Sequence, residues 1–310
     1  MVVAARRNPL LRHLPYRSPA HKLCRNLTIE LCPRTPMTNR SRYWADHTTE
    51  EFAGFDPAAT VVLLPVSATE QHGPHLPVSV DHDICTALVE RLVERLPVRV
   101  PLLVLPALPV GVSIEHGDFP GTLSLSAETM IAVLMELAGG VAAAGFRKLA
   151  LLNCHGGNPA VLDIVAHKLR RKHELLVFPL NGYRYWQAES HFGVHEAAHG
   201  IHGGAAETAI MQAVRPGAVR QGKVQRFASR SEEMAQAYAH LRPFGRTVGF
   251  GWQAQDLNPA GAVGDATLAD PETGARLLDE AAEVLVQVVT EIGSLPLDAI
   301  GGWREETAGD

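Results

Sequence analysis

Residues 60–67, TVVLLPVS, constrain the fold more than any other segment. A half-exposed strand would place a polar residue at every second position. This run has none between its ends, so it reads as a strand buried on both faces, as in parallel sheets covered by helices. The same pattern returns at 101–108, 148–153 and 175–180, with helical apolar periodicity at 84–96, 127–144 and 159–171 between the strands. Strands alternating with helices predict right-handed βαβ crossovers, and hence an α/β chain: a three-layer α/β/α sandwich around a mostly parallel sheet.

Near the C-terminus, Asp270 reads as a helix cap with Pro271 at the first helical position. Apolar pairs then recur from 277/278 to 288/289 and 292 until Gly293, which predicts a packing helix. Strand alternation is absent from 217–259, so a helix at 232–241 between long loops is expected there. The chain of 310 residues is long enough for one large core, and a single catalytic domain is placed at 43–295, followed by a tail at 296–310. Residues 1–42 differ, with arginines at 6, 7, 12, 17, 25, 34, 40 and 42 against one acid, Glu30. This stretch reads as a disordered or mis-annotated extension upstream of Met37, with an organellar transit peptide as the alternative.

A net charge of −5 gives no broad basic field, which points away from nucleic acid and anionic membranes towards a small-molecule substrate. No apolar run reaches the length of a membrane span. Cys24, Cys32, Cys85 and Cys154 have neither zinc-ribbon spacing nor the density of a disulfide framework, so a soluble protein of the reducing cytoplasm is expected. Of the fifteen histidines, by contrast, nine fall at 72–82, 116, 155 and 191–202.

In parallel α/β sheets the ligand site lies beyond the carboxyl ends of the strands, and there the polar residues collect. After the first strand comes 69–77, TEQHGPHLP, then Asp81-His82-Asp83. In an extended segment Glu70 and His72 point the same way. Pro74 and Pro77 stiffen a loop that can return Asp81 to the same point, where its two oxygens could bridge two ions; a plain helix cap is the other reading. The third strand ends in Asn153-Cys154-His155-Gly156-Gly157-Asn158, which places His155 as another imidazole ligand. His202-Gly203-Gly204-Ala205-Ala206-Glu207 adds a histidine and a carboxylate at a loop-to-helix junction, with Glu207 as fifth ligand.

Oxygen and imidazole ligands without thiolate suit Zn²⁺, with Mn²⁺ or Fe²⁺ as alternatives, and a bridging carboxylate suggests two ions per subunit. Such a pair would deliver a metal-bridging hydroxide near neutral pH. His191, His195 and His199 stand four apart, but Gly193 and Gly200 interrupt a helix, so this segment reads as a loop over the site. Cys154 reads as a packing residue, a thiol nucleophile being the rival. Glu115, His116, Asn153, Gly156 and Gly157 are expected to line the substrate pocket.

Taken together, residues 70–77 (EQHGPHLP) with Asp81, Glu115-His116 with 119–123 (FPGTL), 153–158 (NCHGGN), and His202-Gly203-Gly204 with Glu207-Thr208 resemble the creatininase (creatinine amidohydrolase) family over about 42–292. The resemblance implies a dinuclear zinc or manganese centre, hydrolysis of non-peptide carbon–nitrogen bonds and commonly a homohexamer. Carried over residue by residue, it makes Glu70, His72, Asp81, His155 and Glu207 the metal ligands, with Asp81 as bridge. It also places His202 over the substrate, to bind the carbonyl region or protonate the leaving nitrogen, and Glu207 beside it in the catalytic set. Creatininase proper carries a glutamate where this chain has Gly157 and a tryptophan where it has Ala198. The glycine form is more similar to relatives that hydrolyse a formamide on a pyrimidine precursor of flavins and deazaflavins, or that trim the mycofactocin precursor peptide. The expectation is an amide, lactam or formamide hydrolase. A mycofactocin-type precursor-peptide peptidase and a catalytically silent metal-binding relative are the alternatives.

Overall fold

The computed structural model describes residues 41–244 and 248–300. Four parallel strands, β1 (Val61–Val66), β2 (Leu102–Val104), β3 (Lys148–Asn153) and β4 (Leu176–Asn181), form one sheet in the order β2-β1-β3-β4. Every residue of β1 and β3 is buried. Period two sends alternate residues to opposite faces: Val61, Leu63, Ala150 and Leu152 join one core, and Val62, Leu64, Leu149 and Leu151 join the other.

Helices cover both faces. On one side pack α1 (Val80–Arg95), α5 (Ala205–Val214) and α8 (Pro271–Ser294); on the other lie α2 (Ala127–Ala143) and α3 (Pro159–His173). Helix α8 starts where its sequence dictates, since the Asp270 carboxylate accepts the Thr273 N–H at 2.9 Å. It buries Leu277, Leu278, Ala281, Ala282, Leu285, Val289 and Ile292, the stripe expected at three- and four-residue spacing. Truncating one of its leucines to alanine costs about 2–5 kcal/mol. The three-layer α/β/α architecture read from the sequence is the one observed. None of the described helices is long and apolar enough to cross a membrane.

Several boundaries differ from the sequence reading, each for a local reason. The second strand stops at Val104 rather than 108: Leu105 N–H still donates to Leu63 O at 2.8 Å, the ladder lapses around Pro106, whose ring fixes φ, and Leu108 rejoins the sheet by a bridge to Val66. Helix α1 begins one turn before 84, which puts Asp81 in its first turn instead of in a loop. The segment expected as a loop over the site is α4 (Ala188–His199), and Gly193, at φ +82°, breaks its helical geometry partway. Helix α6 (Arg230–Ala237) is shorter than the expected 232–241, starting from a Ser229/Glu232 capping box. A short α7 (Ala254–Leu257) follows. The antiparallel pair β5 (Arg226–Phe227) and β6 (Gly264–Asp265) was not expected, two-residue strands being too short to show alternation.

The extension read at 1–42 lies outside the described residues up to position 40. Arg42, assigned to it, instead belongs to the fold: its guanidinium donates to the carbonyls of Leu96, Pro97 and Val100 at 2.7–3.1 Å, closing the end of α1. The tail lies outside them from 301 on.

Candidate metal centre

The site forms where β1 and β3 end and where α1 and α5 begin. After β1 the chain stays extended through Thr69, which bridges Leu123, and turns at Gly73. Glu70 and His72 therefore both enter the interior, each 1% exposed. Asp81, from α1, is 2% exposed. Its Oδ1 lies 3.3 Å from His72 Nε2, and its Oδ2 lies 3.2 Å from His155 Nδ1. Glu70 Oε1 is 3.3 Å from the same His155 nitrogen, and Glu207 Oε2 is 3.8 Å from His72 Nε2. All five residues read as ligands thus meet, in two sets that share Asp81: Glu70 with His155, and His72 with Glu207.

Backbone carbonyls fix which imidazole nitrogens face inward. A carbonyl can only accept, so His72 Nδ1 donates to Glu70 O at 3.0 Å and Nε2 is the nitrogen turned towards Asp81. His155 Nε2 donates to Val112 O at 2.8 Å and leaves Nδ1 free. Metal-ligating histidines are oriented in this way by the hydrogen bond on their second nitrogen.

Several groups at the centre lack partners. Glu70 Oε2, His72 Nε2 and Asp81 Oδ2 are buried without a hydrogen bond, an arrangement costing several kcal/mol unless a cation or proton occupies it. Triplets of donor atoms from Glu70, Asp81 and His155, and from His72, His202 and Glu207, lie within 4.8 Å of one another. With oxygen and imidazole donors only, these residues fit divalent zinc or manganese.

Charge is strained accordingly. Burial alone would lower the His72 pKa, but Asp81, Glu207 and Glu70 outweigh it and hold the imidazole up at about 10. His155 is likewise raised against its burial, by Glu70 and Asp81. Burial pushes Glu207 up to about 7, with Asp81 adding to it. Asp81 is depressed despite its burial, by His72 and His155. In the absence of an ion, protons stand in for metal charge.

Above the centre, a cavity of 370 Å³ is lined by Glu115, His116, Gly156 and His202 and walled by Tyr183, Trp186, Phe192, Phe244 and Trp252. Asn153 and Gly157, expected to line it, do not. Asn153 instead clamps the turn: its Oδ1 accepts the His155 N–H at 3.1 Å while its Nδ2 donates to His155 O at 2.8 Å. Gly157 packs against His155. A Cβ there would strike the Val112 carbonyl and stand 2.5 Å from His155 Nε2 and 2.8 Å from Glu115 Oε1. Gly156 opens onto free space.

The three histidines spaced four apart do not assemble. His191 turns to Glu280 at 3.1 Å, His195 to Glu232 at 3.4 Å and His199 to Ser231 at 2.8 Å. Cys154 is buried, and its hydrogen bond to Cys85, with burial, raises its pKa well above the thiol value, which disfavours a thiolate nucleophile.

Two site residues escaped the sequence reading. Glu196, 5% exposed, accepts the backbone N–H groups of Ala205 and Asp265, each at 2.8 Å, and pins the segment carrying His202 and Glu207. No spacing marks it. Gln71 could have been suspected from its place between two ligands.

Comparison with known proteins agrees with the fold. Residues 45–289 match the family model described as "Creatininase: Creatinine amidohydrolase". The chain is 30% identical over 224 residues to a mycofactocin precursor peptide peptidase of Mycobacterium ulcerans (strain Agy99), covering 71% of this chain and 80% of that protein. To creatinine amidohydrolase of Pseudomonas putida it is 30% identical over 181 residues, 53% of this chain and 68% of the other. A 3-dehydro-scyllo-inosose hydrolase of Thermotoga maritima is 27% identical over 253 residues, 75% and 77% of the two chains. In three dimensions the chain resembles the solved structure "Creatininase Mn", with TM-score 0.67 and 24% identity over 83% of this chain and 100% of that one. The strands, the helices and the extent of the family match agree: this chain belongs to the creatininase family.

Proposed function

We propose that the protein is a dinuclear metal-dependent hydrolase that cleaves the carbon–nitrogen bond of a small amide, lactam or formamide. The observation that carries this reading is Asp81, whose two oxygens face two different histidines, each already oriented by a backbone carbonyl. The family is one of hydrolases acting on such bonds, with creatinine amidohydrolase among its named members.

Glu70, Asp81 and His155 would hold one ion, and Asp81, His72 and Glu207 the second. Two divalent ions there would acidify water and polarise a carbonyl. The chain's own residues do the rest. His202 lines the cavity with Nδ1 turned inward, where it can receive a proton and pass it to the leaving nitrogen. Its burial, next to His72 and His116, keeps its pKa well below the usual value, so it starts as a neutral acceptor. The aromatic walls limit water and offer stacking surface to a planar substrate.

A panel of formamides, lactams and small amides, assayed with metal-loaded and chelator-treated protein, tests this. Metal-dependent hydrolysis of at least one is expected. Full activity without metal overturns the reading, and stoichiometric metal without any turnover favours a silent metal-binding relative.

Two observations support a second substrate class. The match to a mycofactocin precursor peptide peptidase is longer than that to creatinine amidohydrolase, and Gly157 leaves no room for the glutamate of creatininase proper. Cleavage of a mycofactocin precursor peptide, read by mass spectrometry, distinguishes this from small-amide hydrolysis. A homo-oligomer and a cytoplasmic location belong to the same proposal, the first testable by light scattering.

A further inference from the structure

The Gln71 side chain is 6% exposed and hydrogen-bonded on both ends. Its Oε1 accepts the Gly73 N–H at 2.9 Å, and its Nε2 donates to Gly261 O at 2.8 Å, so the amide cannot be flipped. The other hydrogen of Nε2 points at His116 Nδ1, 2.8 Å away; His202 Nε2, 3.3 Å away, cannot accept it because that nitrogen donates to Gln71 O. An amide nitrogen only donates, so His116 Nδ1 must be the bare acceptor and its proton must reside on Nε2. That N–H faces Glu70 Oε1 at 3.5 Å.

The backbone of the same residue acts on a second histidine. Gln71 O accepts from His202 Nε2 at 2.6 Å, which leaves His202 Nδ1 bare, 3.7 Å from Glu70 Oε1. The two rings stack with centroids 4.2 Å apart at 25°. Two neighbouring imidazoles on the cavity wall therefore present opposite faces: an N–H from His116 and a lone pair from His202. Geometry alone groups Glu70, His116 and His202 as a possible ion site. A protonated Nε2 cannot ligate, so that triplet is not one.

We propose that Gln71 is a positioning residue that locks His116 as an Nε2–H donor, and that this donor and the His202 lone pair together hold the substrate's reacting group by its oxygen and nitrogen sides. The reaction served is the hydrolysis proposed above, on which this role rests; the lock itself does not depend on it.

Neutron diffraction from the deuterated, zinc-loaded protein reads the lock directly. Deuterium is expected on Nε2 of His116 and absent from Nδ1. In Gln71→Glu the carboxylate can only accept, so the deuterium moves to Nδ1. On any amide that the wild type hydrolyses, kcat then falls about 100-fold with zinc content unchanged. Should that variant not fold, His116→Gln and His116→Met serve: the first keeps an N–H donor and holds activity within about tenfold, and the second loses about 100-fold. Deuterium on His116 Nδ1 in the wild type overturns the lock, as does an unchanged tautomer in Gln71→Glu. Equal activity of His116→Gln and His116→Met overturns the donor role. A locked tautomer in a protein that turns over no amide would support the lock and remove the hydrolase reading.

Discussion

His72 and His155 address opposite oxygens of a single carboxylate: His72 Nε2 stands 3.3 Å from Asp81 Oδ1, and His155 Nδ1 stands 3.2 Å from Asp81 Oδ2. Asp81 is the one residue common to both halves of the centre. Replacement by asparagine keeps its volume but gives one half an amide nitrogen with no lone pair to offer. Asp81→Asn is expected to lower metal affinity by roughly 100-fold or more, a loss at least as large as that of an outer-shell partner. Elemental analysis after dialysis checks this; two retained ions would remove Asp81 from the bridging position.

The metal-free protein should lose stability as pH rises. His72 is held at about 10 against an ordinary 6.5, so its contribution is fully present below 6.5 and is lost as pH climbs through 10. Glu207, raised to about 7 from 4.5, contributes below 4.5 and loses that contribution as pH passes through 7. Both act in one direction; Asp81, depressed, and the buried His75, His116 and His202, whose burial holds them down, oppose them, but only up to about pH 7. The melting temperature of chelated protein is expected to fall from pH 7.5 to pH 10, whereas zinc-loaded protein changes less. A flat or rising profile for the chelated protein contradicts the charge arrangement.

Metal uptake should expel protons, because His72 and His155 are both held protonated without an ion. Calorimetric titration with zinc at pH 7.5, in buffers of different ionisation enthalpy, is expected to report about two protons released per subunit. Zero release would place the ions elsewhere.

Restoring the glutamate of creatininase proper should not restore its chemistry. Any Cβ at 157 meets the Val112 carbonyl and crowds His155. Gly157→Glu is therefore expected to destabilise the fold by about 1–3 kcal/mol, as other overpacked sites do, and to weaken metal binding. Denaturant melts and metal titration of the variant measure both effects; wild-type stability with tighter binding would refute the packing argument.

Glu196 offers a test away from the ions. Its carboxylate satisfies two backbone N–H groups around the His202–Glu207 segment. Glu196→Ala leaves the buried Ala205 N–H and the part-buried Asp265 N–H unpaired, at a cost of about 1–3 kcal/mol for the buried group and less for the other. Faster hydrogen exchange at Ala205 and Asp265 is the expected local sign.

The sequence revealed the layers and the ligands for physical reasons. The unbroken apolar run of β1 admits only a strand covered on both faces, and EQH at its end puts two donors on one side of an extended chain. Asp81 was found for its chemistry but misplaced, since the start of α1 depends on where Pro77 lets the helix begin. The roles of Gly157 and Glu196 were hidden because each meets backbone brought near by folding, whereas Asn153 turns away from the cavity to clamp the backbone two residues on. Gly157 illustrates this best: as a glycine it suggests a flexible lining, whereas the close approach of Val112 and His155 makes it a packing requirement.

Anomalous diffraction at the zinc edge, from crystals of zinc-loaded protein, tests the central claim most directly. The account predicts two peaks flanking Asp81, one beside Glu70 and His155 and the other beside His72 and Glu207. A single peak, or none in protein that hydrolyses its amide substrate, would contradict it.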